Sequence, residues 1–220
     1  MRHKETPPLR TVDEASRVWL ASSSVRRSDL LVRRWSSQVE VLSRGIDGTE
    51  PPPSSYSDLF DAVRETCAWK VRTAIIQAPS SFSAVLVSDT LVESPCDAHL
   101  LGQPDSVESA RVMLYDLLEQ PHRIATCTAW AIIGDAVSTI HEHVEVAVVR
   151  LSDPGDAWLD GYLAAEGWRG KAGGYDAGGD FSPWVTLIEG SILSVLGFAV
   201  AGLESLEAFL GIEPTLSESF

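Results

Sequence analysis

Apolar residues along this chain alternate between short continuous runs and helical spacing, and the alternation predicts its elements. Val18-Trp19-Leu20-Ala21 is a run bounded by serines and reads as a buried strand. Asp29 to Trp35 follows with helical spacing, and Ser28 or the serines before it are placed to cap the exposed N–H groups. Val39 to Leu42 is a second strand, and the loop from Ser43 to Ser55 with its three prolines breaks regularity. Ser55-Tyr56-Ser57-Asp58 has the form of a capping box, after which Leu59, Val63, Thr66, Cys67, Lys70, Val71 and Ala74 share one face of a long helix. Ser83 to Ser88 is continuously apolar, as in a central strand covered on both faces, and ends at Asp89-Thr90.

Past a loop from Glu93 to Pro104, Asp105-Ser106-Val107-Glu108 opens a capped helix. Arg123 to Ile133 and Val144 to Leu151 then flank a turn at Gly134-Asp135 as an antiparallel pair. Asp153-Pro154 marks a cap with proline in the first helical turn, and that helix is expected to reach about Glu166. A glycine-rich stretch from Gly167 to Gly179 contains Lys171, and a strand at 183–188 and a helix at 202–210 complete the chain. βα units with one antiparallel insertion predict a three-layer α/β domain around a twisted mixed sheet. The expected organisation is a disordered arm at 1–16, one domain over 17–212 and a tail at 213–220.

Composition narrows the partners. The chain has 220 residues and a formal charge of −14, which opposes nucleic acid and anionic membrane, because such binding needs basic side chains to displace phosphate counterions. A small anion is compatible with that balance if cations gather in a cleft, and Arg17, Arg26, Arg27, Arg33, Arg34 and Arg44 all fall early in the chain. Cys67, Cys96 and Cys127 are odd in number and far apart, so neither a disulfide framework nor a zinc site is expected. The polar start lacks a signal-peptide core, the longest apolar stretch is too short to span a bilayer, and cytoplasm is the expected compartment.

Ser22 to Arg27 brings three hydroxyls and two guanidinium groups into a strand-to-helix turn, where backbone N–H groups and forked Arg donors match phosphate oxygens. The alternative is a serine cap beside two solvated arginines. Asp89, at the rim where open α/β sheets bind ligands, can hold Mg²⁺ or activate water, or else serve as a turn residue. Glu93 is a weaker second carboxylate. Lys171 sits where glycines let backbone approach a ligand, and Lys70 either neutralises phosphate or reaches from a helix edge to solvent. His141 and His143 lack a third partner, so a surface hairpin accounts for them.

Together these residues resemble a known family. Leu20-Ala21-Ser22-Ser23-Ser24-Val25-Arg26-Arg27 is similar to the LASxSPRR signature of the Maf (septum formation inhibitor) family of nucleoside-triphosphate pyrophosphatases. In order, Cys67-Ala68-Trp69-Lys70 resembles its AxxKA helix, Val87 to Val92 its ADTVV strand end, and Leu101 to Asp105 its GKPxD loop. Met113-Leu114 with His122 to Thr126 resembles mL…HxVxT, and Lys171-Ala172-Gly173-Gly174-Tyr175 resembles KAGAY.

The resemblance implies a homodimeric α/β fold of the Maf and inosine-triphosphatase type. It also implies hydrolysis of pyrimidine or modified nucleoside triphosphates to monophosphate and pyrophosphate with a divalent metal, Mg²⁺ or Mn²⁺. By motif match, Asp89 is the general base or metal-linked carboxylate, and Ser22, Arg26, Arg27, Lys70 and Lys171 contact the phosphates. Thr90 and Gln103 fall on matching positions and count with the substrate-binding set.

Departures also fall on functional positions: Gly48 replaces the Glu of Asp-Glu, Gln103 the Lys of GKP, Gly178 the Gln of YxIQG, and Gly170 an Asp before KAG. Glu50 is the nearest replacement for the lost glutamate. These losses make a non-catalytic nucleotide-binding protein the alternative to an enzyme, ahead of a binding protein for another phosphorylated metabolite.

Overall fold

The computed structural model describes residues 16–51, 58–134 and 139–215. Within them a seven-stranded mixed sheet has the order β2-β1-β3-β5-β6-β7, with β4 paired to β3. β1 (Ser16–Leu20), β2 (Val39–Ser43) and β3 (Ala84–Glu93) are parallel to one another. β4 (Leu100–Leu101), β5 (Pro121–Ile132), β6 (Ile140–Leu151) and β7 (Val185–Glu189) pair antiparallel with their neighbours. The mixed α/β class read from the sequence is the one observed.

The helices are α1 (Val25–Trp35), α2 (Leu59–Gln77), α3 (Val107–Leu117), α4 (Asp156–Ala164), α5 (Ile192–Leu196) and α6 (Val200–Leu210). Alternate residues of a strand face opposite sides of its sheet, and β3 and β5 use both. Val85, Val87, Leu91, Ala125, Cys127 and Ala129 pack with the buried stripe of α2, whereas Ala84, Leu86 and Trp130 pack with α1 and α6. A third group joins α3 and α4 to Val92, Ile124 and Val149.

α1 is locked to α6 by a buried charge cluster. Arg34 meets Glu207 at 2.6 Å, and the Trp35 indole donates to the same carboxylate at 2.7 Å. The guanidinium, carboxylate and indole thereby satisfy one another where unpaired charge would be costly. This clamp fixes the helix whose first turn faces the site.

Several expected boundaries move. α1 starts at Val25 rather than Asp29, and its cap is Ser24, one of the serines before Ser28 expected to serve, which accepts from the Arg27 N–H at 3.4 Å. Asp58 caps α2, while Ser55 to Ser57 lie outside the described residues. Gly155, with φ of 86°, caps α4 in place of Asp153, because its left-handed backbone turns the chain one residue beyond Pro154. Ser16, expected in the N-terminal arm, opens β1, and residues 1–15 lie outside the described set. In the expected tail, Glu213 bonds Gln38 and Thr215 bonds the end of α1; residues 216–220 lie outside, as does Asp135 of the hairpin turn. Among the described residues no helix is long and apolar enough to cross a membrane.

Candidate active site

The site lies where β1 stops and β3 continues. The β1–β3 register runs from Val18–Ala84 to Leu20–Leu86, and the Ala21 N–H makes a last bond to Leu86 at 2.9 Å. β3 then extends to Glu93 with β5 on one flank, and on the other it gains β4 only at Val92. Between these points the flank toward β1 is open. Asp89 therefore sits mid-strand, not at the strand end expected from the sequence: pairing with β5 carries the strand past the polar Ser88-Asp89-Thr90.

Opposite facing of successive residues divides the open flank. Asp89 points to the α2 side, where Lys70 continues the buried stripe and places Nζ 2.5 Å from Asp89 Oδ1 and 3.1 Å from Glu50 Oε2. Lys70 thus does not reach out to bulk solvent. Burial pulls its pKa down, but Asp89 and Glu50 more than offset this and the net shift is upward. The other carboxylate oxygen, Asp89 Oδ2, is buried and has no partner among the described residues.

Thr90 points the other way, to α1. Its Oγ1 accepts from Arg27 Nη2 at 2.9 Å and pairs with Thr126 Oγ1 at 2.9 Å. Thr126 donates its one hydroxyl hydrogen to Ser194 O at 2.7 Å, so Thr90 donates to Thr126 and its remaining capacity holds Arg27. Arg27 Nε also donates to Gly197 O at 3.0 Å, an oxygen that Ser88 Oγ meets at 2.7 Å. Burial lowers the Arg27 pKa to about 10, with Asp89 pulling the other way, so the group is a cation at neutral pH.

Between strand and helix, Ser22 Oγ accepts from the Ser24 N–H at 3.2 Å, and Ser43 Oγ donates to Ser22 O at 2.8 Å. These bonds set the turn that opens α1, whose first N–H groups have no intrahelical partner. Across the cavity, Arg26 Nη1 and Lys171 Nζ both contact Asp176, at 2.9 and 3.2 Å. Burial pushes the Asp176 pKa up, the two cations pull it down more strongly, and the net shift is below the ordinary carboxylate value. Tyr175 anchors the glycine-rich loop beneath them. His122 Nδ1 must donate to Gln120 O at 3.1 Å, and burial holds the ring neutral by lowering its pKa, so Nε2 accepts the Tyr175 O–H at 3.0 Å.

The resulting cavity is about 380 Å³, and Ser22, Arg26, Arg27, Lys70, Asp89, Thr90, Gln103 and Lys171 all line it. The eight positions come from five separate stretches of sequence. Glu50, Arg169 and Tyr175 line it as well, and Asp176 reaches it through the two cations. Asp176 escaped sequence reasoning because nothing local distinguishes it from other loop acids. Glu93 is instead paired with Arg123 at 3.1 Å, and His141 stacks on Trp130 with ring centroids 3.9 Å apart. Among the described residues no three His, Cys, Asp or Glu side chains gather as a metal cluster.

A match to the family model for Maf-like proteins covers residues 17–208. The chain belongs to the Maf family. A dTTP/UTP pyrophosphatase from Caulobacter vibrioides is 32% identical over 195 residues, 89% of this chain and 96% of that relative. One of the same description from Novosphingobium aromaticivorans is 31% identical, covering 88% of this chain and 92% of the relative. A third, from Pyrococcus horikoshii, is 28% identical over 89% of this chain and 97% of its own.

Two of the glycines at which this chain departs from the motif resemblance have close neighbours. At Gly48 the φ of 131° disfavours any side chain, and a Cβ would come within 3.0 Å of the Trp69 ring. At Gly178 a Cβ would meet Leu196 Cδ2 at 2.8 Å. Glu50, two residues after Gly48, contacts Lys70 at 3.1 Å.

Proposed function

We propose that this Maf protein hydrolyses pyrimidine nucleoside triphosphates, with dTTP and UTP the first to test, to the monophosphate and pyrophosphate. The observation that carries the proposal is the convergence of Arg26, Arg27, Lys70 and Lys171 around Asp89 in one cavity. Four cations suit a polyphosphate, and the reaction at its α-phosphorus needs an acceptor for the proton of water.

The chemistry assigns distinct tasks. Ser22, the start of α1, Arg26, Arg27 and Lys171 grip phosphate oxygens. Lys70 holds Asp89 Oδ1, which leaves Oδ2 to accept a proton as water attacks the α-phosphorus. The bond from that phosphorus to the bridging oxygen breaks, and pyrophosphate leaves with its charge spread over Arg27, Lys171 and Arg26. Fixed cations around a developing anion commonly supply about 100-fold in rate each.

A divalent cation fits the donors available. In place of the base role, the orphaned buried Asp89 Oδ2 would hold the cation together with Glu50, whose carboxylate meets the same lysine, since Mg²⁺ is commonly held by one or two carboxylates plus substrate phosphates. Such a cation, Mg²⁺ or Mn²⁺, would neutralise phosphate charge in the transition state. A homodimer in the cytoplasm is the setting the family suggests, and light scattering on the purified chain tests the dimer.

Hydrolysis of UTP in ¹⁸O-labelled water, followed by ³¹P NMR and mass spectrometry, tests the reaction. Label in the monophosphate with unlabelled pyrophosphate is expected. Diphosphate and orthophosphate as products would overturn the assignment. Triphosphate binding with no product would favour the non-catalytic reading, which rests on the replacements at Gly48, Gln103 and Gly178.

A further inference from the structure

Asp176 places a carboxylate where the proposed reaction needs a phosphate. One oxygen lies 2.9 Å from Arg26 Nη1 and the other 3.2 Å from Lys171 Nζ, in side chains only 20 to 23% exposed. Two oxygens on one carbon spanning a guanidinium and an ammonium imitate two oxygens of a phosphoryl group. Lys171 is in the same loop, but Arg26 and Asp176 are 150 residues apart, so local turn geometry does not create the contact with Arg26.

The Asp176 main chain is held separately: its N–H donates to Tyr162 Oη at 3.2 Å, and its carbonyl accepts from the N–H groups of Gly179 at 3.0 Å and Phe181 at 3.2 Å. Arg26 retains a buried Nε without a partner among the described residues, so its guanidinium has donor capacity that Asp176 leaves unused. A more demanding acceptor than one carboxylate is implied.

We propose that Asp176 is an intramolecular competitor for phosphate that sets the affinity threshold of the site. The proposal rests on the reading of Arg26 and Lys171 as phosphate-binding groups. Any ligand that takes both cations must first displace the carboxylate and loses the same factor in affinity. A triphosphate has further contacts at Arg27, Ser22 and the start of α1 and still binds. Pyrophosphate left on Arg26 and Lys171 by the reaction, or free orthophosphate, lacks the α-phosphate contacts, falls below useful affinity and leaves. Asp176 therefore sets a common affinity threshold and takes no part in bond breaking.

Calorimetry with inorganic orthophosphate and with inorganic pyrophosphate, on wild type, Asp176→Asn and Arg26→Ala, tests this. The asparagine keeps the shape and removes the charge. Both ligands are expected to bind Asp176→Asn about tenfold more tightly than wild type, equivalent to about 1.4 kcal/mol, and Arg26→Ala more weakly. Pyrophosphate inhibition of turnover is expected to deepen by the same factor. Unchanged or weaker binding by folded Asp176→Asn would overturn the competitor role alone, leaving the carboxylate as a structural clamp. Pyrophosphate binding that Arg26→Ala leaves intact, or absent from all three proteins, would remove the phosphate site itself. A crystal structure of wild type with pyrophosphate gives an answer free of any variant: Asp176 displaced from both cations supports the proposal, and Asp176 still bonded to both beside bound ligand refutes it.

Discussion

Lys70→Met offers the sharpest test of how the site is held together. The variant keeps the side-chain length along the α2 stripe and removes the ammonium that lies 2.5 Å from Asp89 and 3.1 Å from Glu50. Lys70 and Asp89 side chains are only 12 and 11% exposed, so the loss strands a carboxylate with little water to solvate it. Breaking a buried pair by removing one partner costs about 3–5 kcal/mol. The lower end applies because Arg27 also interacts with Asp89 and the cavity admits water, which makes the expected loss about 3 kcal/mol. For a chain of 220 residues, that corresponds to a fall in melting temperature of about 6–12 °C. Lys70→Met with Asp89→Asn should recover about 2 kcal/mol relative to the sum of the single changes, since neither charge then lacks its partner. Urea denaturation of the four proteins at neutral pH completes the cycle. A Lys70→Met loss under about 0.5 kcal/mol, or strict additivity in the cycle, would refute a buried, coupled pair.

Glu207→Ala removes the carboxylate that neutralises Arg34 and accepts from Trp35, so a loss of about 3–5 kcal/mol is expected in urea denaturation. Stability should also depend on pH through two opposite groups. The raised Lys70 pKa contributes stability that is present below the unfolded lysine value of about 10.4 and is lost as pH rises through the higher folded value. The depressed Asp176 pKa contributes stability that is present above the unfolded aspartate value of about 3.9 and is lost as pH falls through the lower folded value. Melting temperatures across pH should therefore show a flattened alkaline limb in Lys70→Met and a flattened acid limb in Asp176→Asn. Gln103→Lys adds a cation to the cavity wall and is expected to lower KM for UTP about tenfold, read from initial rates.

The strand-to-helix turn was legible because its signals are local: an apolar run ends at Ala21, serines follow, and helical spacing begins within a few residues. The helix register of Lys70 was equally plain, but its destination was not. Whether a lysine on a buried stripe turns to solvent or to a carboxylate depends on the strand beneath it. Asp89 was misplaced at a strand end for the same reason, since pairing with β5 extends β3 through three polar residues that look like a terminus in isolation. β4 and α5 are two and five residues long, too short for periodicity to register. Asp176 could not be found from local pattern at all, because its meaning comes from Arg26 at the far end of the chain.

Pyrophosphate release from dTTP and UTP, with Mg²⁺ or Mn²⁺, by wild type and by Asp89→Asn tests the central claim most directly. The asparagine retains a hydrogen-bonding oxygen near Lys70 but is no longer a base, so release is expected to fall by at least about 100-fold. Binding of a non-hydrolysable triphosphate, measured alongside, should change by less than about tenfold, because Arg26, Arg27 and Lys171 remain. Equal release by the two proteins would contradict Asp89 as the proton acceptor, and release by neither above background would contradict the enzyme itself.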